Sequence, residues 1–450
     1  MTEKIRRRIN DTPIWRWTVL IIVATAMMMG YFVNDVMSPL ETLLEMPHSS
    51  GGLGWTPTDY GFFAGSSGFI NVFLLMLFFS GLILDKMGIR FTGTLACSTM
   101  LIGTFIKYYA ISTPTEGELF GMPSSAVIAA LGFAIFGVGY EMTGITVSKA
   151  MVRWFSGHEL ALAMGIQLAM ARLGTAAALS ISAPIARHYS LSAPLLLSLA
   201  LLLIGLLAFL VFCIMDHKLD ASIQQTDSEE EFRWSDIGTT LSSPGFWLIT
   251  LFCVLFYSAV SPFLKFSTKL MVIKYGVDAD MAGFFSSIAP FGTMLLTPLF
   301  GYVYDRFGRG VTLIIIGTLL LAAVHFGFSL PIPEALSNSQ TSVDIAIVLM
   351  ILFSIAYSLA PAALWPCVPK IIPLKCLGTA YALIFYIQNF GRAIIPMFVG
   401  RANEQDPTYT TSMIIFGCTA LSAVVVATAM LFVDRWKGYG LQSPNIHSER

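Results

Sequence analysis

The chain has 450 residues, of which 56% are apolar and only 12% charged, with a formal net charge of −1 and a mean hydropathy of +0.74. That balance lies outside the range of soluble domains and marks a membrane protein whose first partner is lipid. No basic patch points to nucleic acid.

Runs of about 20 apolar residues, the length that crosses a ~30 Å hydrocarbon core, recur twelve times. The expected helices cover 16 to 45, 58 to 84, 90 to 111, 124 to 152, 159 to 187 and 190 to 215, then 244 to 274, 280 to 304, 310 to 330, 343 to 369, 375 to 400 and 409 to 433. The fold class is therefore an all-α membrane protein of twelve transmembrane helices. The first is preceded by KIRRR and followed by no small-residue cleavage site, which reads as an uncleaved signal anchor. With both termini in the cytoplasm, 17 of the 26 basic residues fall in cytoplasmic segments. Only Lys107, Arg187, Lys274 and Arg401 are then expected outside, and Lys149, Arg172, Lys265, Lys269 and Arg392 lie within the spans. The six cysteines, at 97, 213, 253, 367, 376 and 418, sit in or at the ends of helices and imply neither a disulfide framework nor a metal cluster.

Helix 2 ends in GLILDKMGIR and helix 8 in GYVYDRFGRG, matching at a constant offset of 220 residues. The first turn contributes Gly81, Asp85, Lys86, Gly88 and Arg90, and the second Gly301, Asp305, Arg306, Gly308 and Arg309. Glycine permits a tight hairpin, and each Asp can accept from a helix N-terminus or pair with Arg90, Arg306 or Arg309, so the two turns are candidate cytoplasmic gates. The same offset pairs Arg172 with Arg392. Two six-helix halves follow, 1 to 216 and 244 to 450, joined by the Gln/Ser/acid-rich stretch 217 to 243, which reads as a partly disordered cytoplasmic linker. Repeats of this kind place substrate near the midplane between halves.

The doubled turn on twelve helices resembles the major facilitator superfamily. Four stretches narrow the likeness to the branch of major facilitator superfamily domain-containing protein one: YFVNDVMSPLE, YEMTGITVSKAMVRWFSGHELALAMGIQLAMARLG, AVSPFLKF and YSLAPAALWPCVPKIIPLKCLGTAYALIFYIQNFG. The animal members of that branch are lysosomal dipeptide uniporters, so the resemblance implies a carrier of dipeptides or similar small zwitterions working by alternating access, as a uniporter or with weak ion coupling.

Glu141 and Arg172 fall near the bilayer centre, where an ionisable side chain costs roughly 2.5–3.5 kcal/mol and faces a partner or a cavity. The two could neutralise each other across adjacent helices. They could instead hold the ammonium and carboxylate of a zwitterion, which is what the resemblance implies, since the branch uses an acid and an Arg at this 31-residue separation as the substrate's terminal contacts. Asp35 matches a family acid and is a candidate substrate contact, or it serves helix packing or pairs with Lys265 or Arg392; Lys265 is a further candidate contact, or snorkels to the interface. Lys269 and Lys149 read as snorkelling residues. Arg392 departs from the animal pattern: it either pairs with Asp35 or Glu41, or joins Arg172 in facing the cavity. The latter arrangement would make the chain an organic-anion exchanger or symporter. Tyr31, Asn34, Tyr257, Trp365, Gln388 and Asn389 are candidate cavity-lining residues. Phe133 stands where facilitators often carry Arg in helix 4, which argues against the usual proton relay.

No HExxH, GxSxG or paired-acid constellation is present, and His325 in helix 9 reads as a packed residue, so an enzyme is not expected and no cofactor is implied. The one N-x-S/T match, at Asn10, is on the cytoplasmic side, so an accessory glycoprotein partner is unsupported. The expectation is a monomer in a bacterial inner membrane.

Overall fold

The structure, a computed structural model, describes residues 12–113, 117–155, 159–220, 238, 240–333, 339–372 and 377–444. Its helices are α1 (Pro13–Asp35), α2 (Glu41–Glu45), α3 (Pro57–Ser66), α4 (Phe69–Phe73), α5 (Met76–Ser112), α6 (Ser124–Phe155), α7 (Leu160–His188), α8 (Ala193–Asp220), α9 (Pro244–Tyr275), α10 (Ala279–Phe307), α11 (Gly310–Ser329), α12 (Gln340–Ile371), α13 (Leu377–Gln405) and α14 (Thr410–Lys437). A two-residue hairpin, β1 (Glu118–Leu119) with β2 (Met122–Pro123), joins α5 to α6.

Helix starts carry local signals. Thr56 and Asp59 form a capping box at α3, Ser243 caps α9 with Pro244 in its first turn, and Asp278 caps α10. Large apolar side chains such as Leu131, Ile204 and Val425 stay exposed on the outside of the bundle, as lipid-facing surfaces require.

Among the described residues, eleven helices are long and apolar enough to cross a membrane. The stretch expected as helix 2 is not among them as one rod. It is divided into α3, α4 and the start of α5, interrupted at Leu75 with φ 55, and α5 then bends at Gly88, where φ 78 and ψ 172 are open to glycine and strained for other residues. The linker expectation also shifts: α8 continues as helix to Asp220, and most of the remaining linker lies outside the described residues.

The first group of helices packs α1 against α7 and α8, and α5 against α6. The second packs α11 against α12 and α14, α10 against α12, and α9 against α13 and α14. The groups meet along α7 with α10 and along α3 with α13. Those two seams are equivalent under the 220-residue offset, joining the fifth crossing to the eighth and the eleventh to the second.

The seams close on the face opposite the linker. A Cβ on Gly65 would sit 2.2 Å from the carbonyl oxygen of Ala393, and one on Gly283 would sit 2.1 Å from that of Leu179. Such backbone approach is the packing that small residues permit between membrane helices. A Cβ at Gly144 or Gly165, by contrast, meets no heavy atom within 4 Å.

Candidate functional site

Charged residues bridge the two groups of helices in a ladder from the midplane to the far face. At the midplane, Nη1 of Arg392 on α13 donates to Oε1 of Glu141 on α6 at 2.7 Å and more weakly to Oδ1 of Asn389 at 3.4 Å. Further out, Nζ of Lys265 on α9 donates to Oδ1 of Asp35 at 2.7 Å and to the carbonyl of Asn34, while Thr175 and Asn34 donate to the same carboxylate. Next, Lys269 lies 3.4 Å from Oε1 of Glu41, which also accepts from Tyr409, and pairs with Glu45. At the rim Arg187 meets Asp280 at 2.7 Å, and Thr58 donates to Glu404.

Several expectations are corrected by this ladder. Lys269 does not snorkel: its side chain is 5% exposed because two acids stand opposite it. Lys107 is not outside but fully buried in α5, donating to the carbonyl of Val33 at 3.3 Å. Arg392 pairs with Glu141 rather than with Asp35 or Glu41, since those two acids are taken by lysines of α9. Glu141 and Arg172 do not neutralise each other.

Arg172 has no carboxylate partner among the described residues. Its guanidinium lies 4.9 Å above the ring of Tyr357 on α12, and Tyr31, Tyr140 and Tyr257 are near enough to interact with its charge. A cation–π contact is worth about 2 kcal/mol when desolvated, which holds the group in place without neutralising it. Tyr31 packs on Tyr140 at 5.0 Å, and the two line a cavity of about 40 Å³ with Glu141, Gly30 and Gly144. In the second group of helices Trp365 donates to the Tyr257 hydroxyl at 3.3 Å and lies tilted against Phe385, with ring centroids 5.2 Å apart. Oδ1 of Asn34 and Oε1 of Gln388 are among the buried acceptors that find no donor among the described residues. Tyr140 and Tyr357 escaped the sequence reading although both lie in the quoted blocks, because a tyrosine carries no charge signal.

Phe133 is buried and stacked on Phe63 at 4.9 Å. Nζ of Lys107 lies 4.5 Å from the Phe133 ring and Nζ of Lys265 5.4 Å from it. The fourth crossing lacks an Arg, but the third delivers a cation to the same spot. His325 is fully buried against the rings of Phe263, Phe353 and Phe416.

The candidate gate turns bind within their own groups of helices. Arg90 reaches Asp220 at 2.7 Å and Asp216 at 3.9 Å, and Trp154 donates to Asp216 at 3.1 Å. The expected Arg90–Asp85 pairing rests on a side chain outside the described set. In the second turn Arg306 donates to Tyr302 at 2.7 Å, and the backbone N–H of Arg309, at φ 60, donates to the carbonyl of Gln442 at 2.7 Å. The 220-residue repeat therefore ties one turn to α8 and the other to the segment after α14.

The Major Facilitator Superfamily profile matches residues 117–396. The lysosomal dipeptide transporter MFSD1 of Bos taurus is 26% identical over 368 residues, covering 78% of this chain and 73% of that protein. The Gallus gallus protein of the same name is 28% identical over 320 residues, 68% and 69% of the two chains. Among solved structures, a D-xylose-proton symporter superposes with a TM-score of 0.70 at 14% identity, over 92% of this chain and 97% of the other. A POT family transporter in complex with a thioalcohol-conjugated peptide gives 0.68 at 16% identity, over 93% and 96%. The likeness to the solved structures establishes the fold, and the matched profile establishes more: the chain belongs to the major facilitator superfamily, as a multi-pass membrane transporter and not an enzyme.

Proposed function

We propose that this transporter carries dipeptides or similar small zwitterions, without a dedicated proton relay. The observation that carries the reading is Arg172: a guanidinium deep in a membrane helix, without a carboxylate partner among the described residues, resting on Tyr357 at 4.9 Å. A cation kept there at a cost needs an anion at some stage of the cycle, and a guanidinium matches a carboxylate in two parallel hydrogen bonds. Glu141 supplies the complementary acceptor for an ammonium group. Its similarity to the dipeptide transporters MFSD1 supports the same substrate class.

In this reading the halves 1 to 216 and 244 to 450 rock about the midplane, the ladder from Asp35–Lys265 outward closes one face, and the two Asp-containing turns latch the other when it closes. The Lys/Arg distribution supports cytoplasmic termini, and the close backbone approach at Gly65 and Gly283 supports closure of the opposite face; the membrane we propose is a bacterial inner membrane. The unit of function is a monomer, with no accessory glycoprotein. Substrate shifts the conformational equilibrium only through its differential affinity for the two states.

The test is uptake of a labelled dipeptide into proteoliposomes, with N-acetylated dipeptides, free amino acids and dicarboxylates as competitors, in wild type, Glu141→Gln and Arg172→Ala. Uptake that N-acetylated peptides do not inhibit and that both substitutions abolish supports the zwitterion reading. Competition by dicarboxylates alone, with Arg392→Ala as damaging as Arg172→Ala, replaces it with an organic-anion carrier.

A further inference from the structure

Charge balance at the midplane is uneven. Among the described residues Asp35 pairs with Lys265, with Lys107 close to the same Phe133 ring, and Glu141 pairs with Arg392, which leaves Arg172 without a carboxylate and the group positive in sum. The Asp35–Lys265 pair is satisfied on both sides, so the excess lies at Glu141, Arg392 and Arg172.

The hydrogen-bonding edges in that group are unevenly used. Glu141 accepts Arg392 through Oε1, and its Oε2 accepts nothing among the described residues. Arg392 uses only Nη1, for Glu141 and Asn389, although a guanidinium offers five N–H donors. Its Nε and Nη2 edge makes no hydrogen bond among the described residues, and the side chain keeps 20% of its surface exposed. Arg172, over the ring of Tyr357, makes no hydrogen bond or ion pair among the described residues. The site thus has one free acceptor and two free guanidinium edges, within a wall of tyrosines.

We infer that the preferred substrates are dipeptides bearing an acidic side chain, with Arg392 as the residue that selects them. This rests on the zwitterion reading above and sharpens it. The substrate ammonium goes to Oε2 of Glu141, the terminal carboxylate to Arg172, and the side-chain carboxylate to the unused edge of Arg392. An acidic dipeptide, net −1, cancels the excess charge. A neutral dipeptide leaves one guanidinium edge unpaired in a low-dielectric site, and a basic dipeptide adds to the imbalance.

The experiment compares Ala-Glu, Ala-Gln and Ala-Lys, which differ chiefly in side-chain charge. They are used as competitors of labelled dipeptide uptake in proteoliposomes and as thermal stabilisers of the purified full-length protein in detergent. The expected order is Ala-Glu over Ala-Gln over Ala-Lys, with half-inhibition by Ala-Glu at about tenfold lower concentration than by Ala-Gln, the worth of one charge-assisted contact. Arg392→Gln brings that ratio to about one and Arg392→Lys keeps part of it, and the detergent measurement reads both variants even if transport is lost. If Ala-Glu and Ala-Gln bind wild type within about twofold of each other, or Arg392→Gln keeps the full ratio, the inference is overturned while dipeptide transport stands. If no dipeptide is taken up or stabilises the purified protein and glutarate does stabilise it, both this inference and the dipeptide reading are overturned.

Discussion

Arg392 reaches from α13 across to Glu141 on α6 at 2.7 Å, and Arg172, its equivalent in the sequence repeat, reaches from α7 across to Tyr357 on α12 at 4.9 Å. Each arginine sits on the fifth crossing of its half and faces the fourth crossing of the other. One finds a carboxylate and the other an aromatic ring. The repeated scaffold is symmetric and the chemistry on it is not, which suits a substrate whose two ends differ.

Arg172 should not tolerate Lys. An ammonium keeps the charge but loses the planar fork and its stacking on Tyr357. Initial-rate uptake in proteoliposomes should fall by about tenfold or more in Arg172→Lys and be lost in Arg172→Ala, while Tyr357→Phe, which keeps the ring, stays within about threefold of wild type. A fully active Arg172→Lys would remove the case for bidentate carboxylate binding.

Closure of the far face depends on backbone contact at Gly65. Its Cβ would fall 2.2 Å from the Ala393 carbonyl oxygen, so Gly65→Ala should weaken the α3–α13 seam. Thr58, which donates to Glu404 beyond that seam, reports on it. A Thr58→Cys probe should label faster with a membrane-impermeant thiol reagent in the Gly65→Ala background than alone. In Gly165→Ala, where the added Cβ meets no heavy atom within 4 Å, labelling in this conformation should be unchanged.

The Asp35–Lys265 pair is sheltered, with side chains 10% and 11% exposed. Removing one partner leaves a buried charge uncompensated, a loss of about 3–5 kcal/mol, whereas removing both is far milder. The melting temperature in detergent should drop clearly in Lys265→Met and recover most of the loss in Asp35→Asn/Lys265→Met. Equal or additive losses would show that the two residues act independently.

Asp406, in the loop between α13 and α14, gives a pH dependence with a definite sign. Slight burial pushes its carboxyl up, but hydrogen bonds from the side chains and backbone N–H groups of Thr408 and Thr411 outweigh this and hold it at about 2, below the usual 3.8. A depressed carboxylate stabilises the folded turn above 3.8, and that contribution disappears as pH falls through about 2. Asp406→Asn should raise amide exchange at Thr408 and Thr411 at neutral pH, and the difference from wild type should vanish in strong acid.

Most of the helices were legible because the bilayer imposes a length of apolar chain that few other structures need, and the structure begins and ends most of them within a few residues of those runs. Helix 2 was the exception: the run from 58 to 84 reads as one mainly apolar crossing, but Leu75 at φ 55 divides it, and hydropathy does not register a backbone bend. Among the candidate site residues, Glu141, Arg172, Asp35 and Arg392 stood out because an ionisable group at that depth is costly. Lys269 and Lys107 were misjudged because distance to the membrane edge alone cannot reveal an acid on another helix or a pair of aromatic rings.

What the sequence determined by itself was the membrane environment and the set of deeply placed charges, which follow from local composition, and the 220-residue repeat, which follows from one constant spacing; the superfamily was legible as a resemblance of its motifs. Which charge meets which was decided by tertiary structure. Hydrogen bonds and ion pairs act over about 3–4 Å, and Glu141 lies 251 residues from its partner Arg392, so only the packing of the two groups of helices could pair those two and leave Arg172 on the face of a tyrosine.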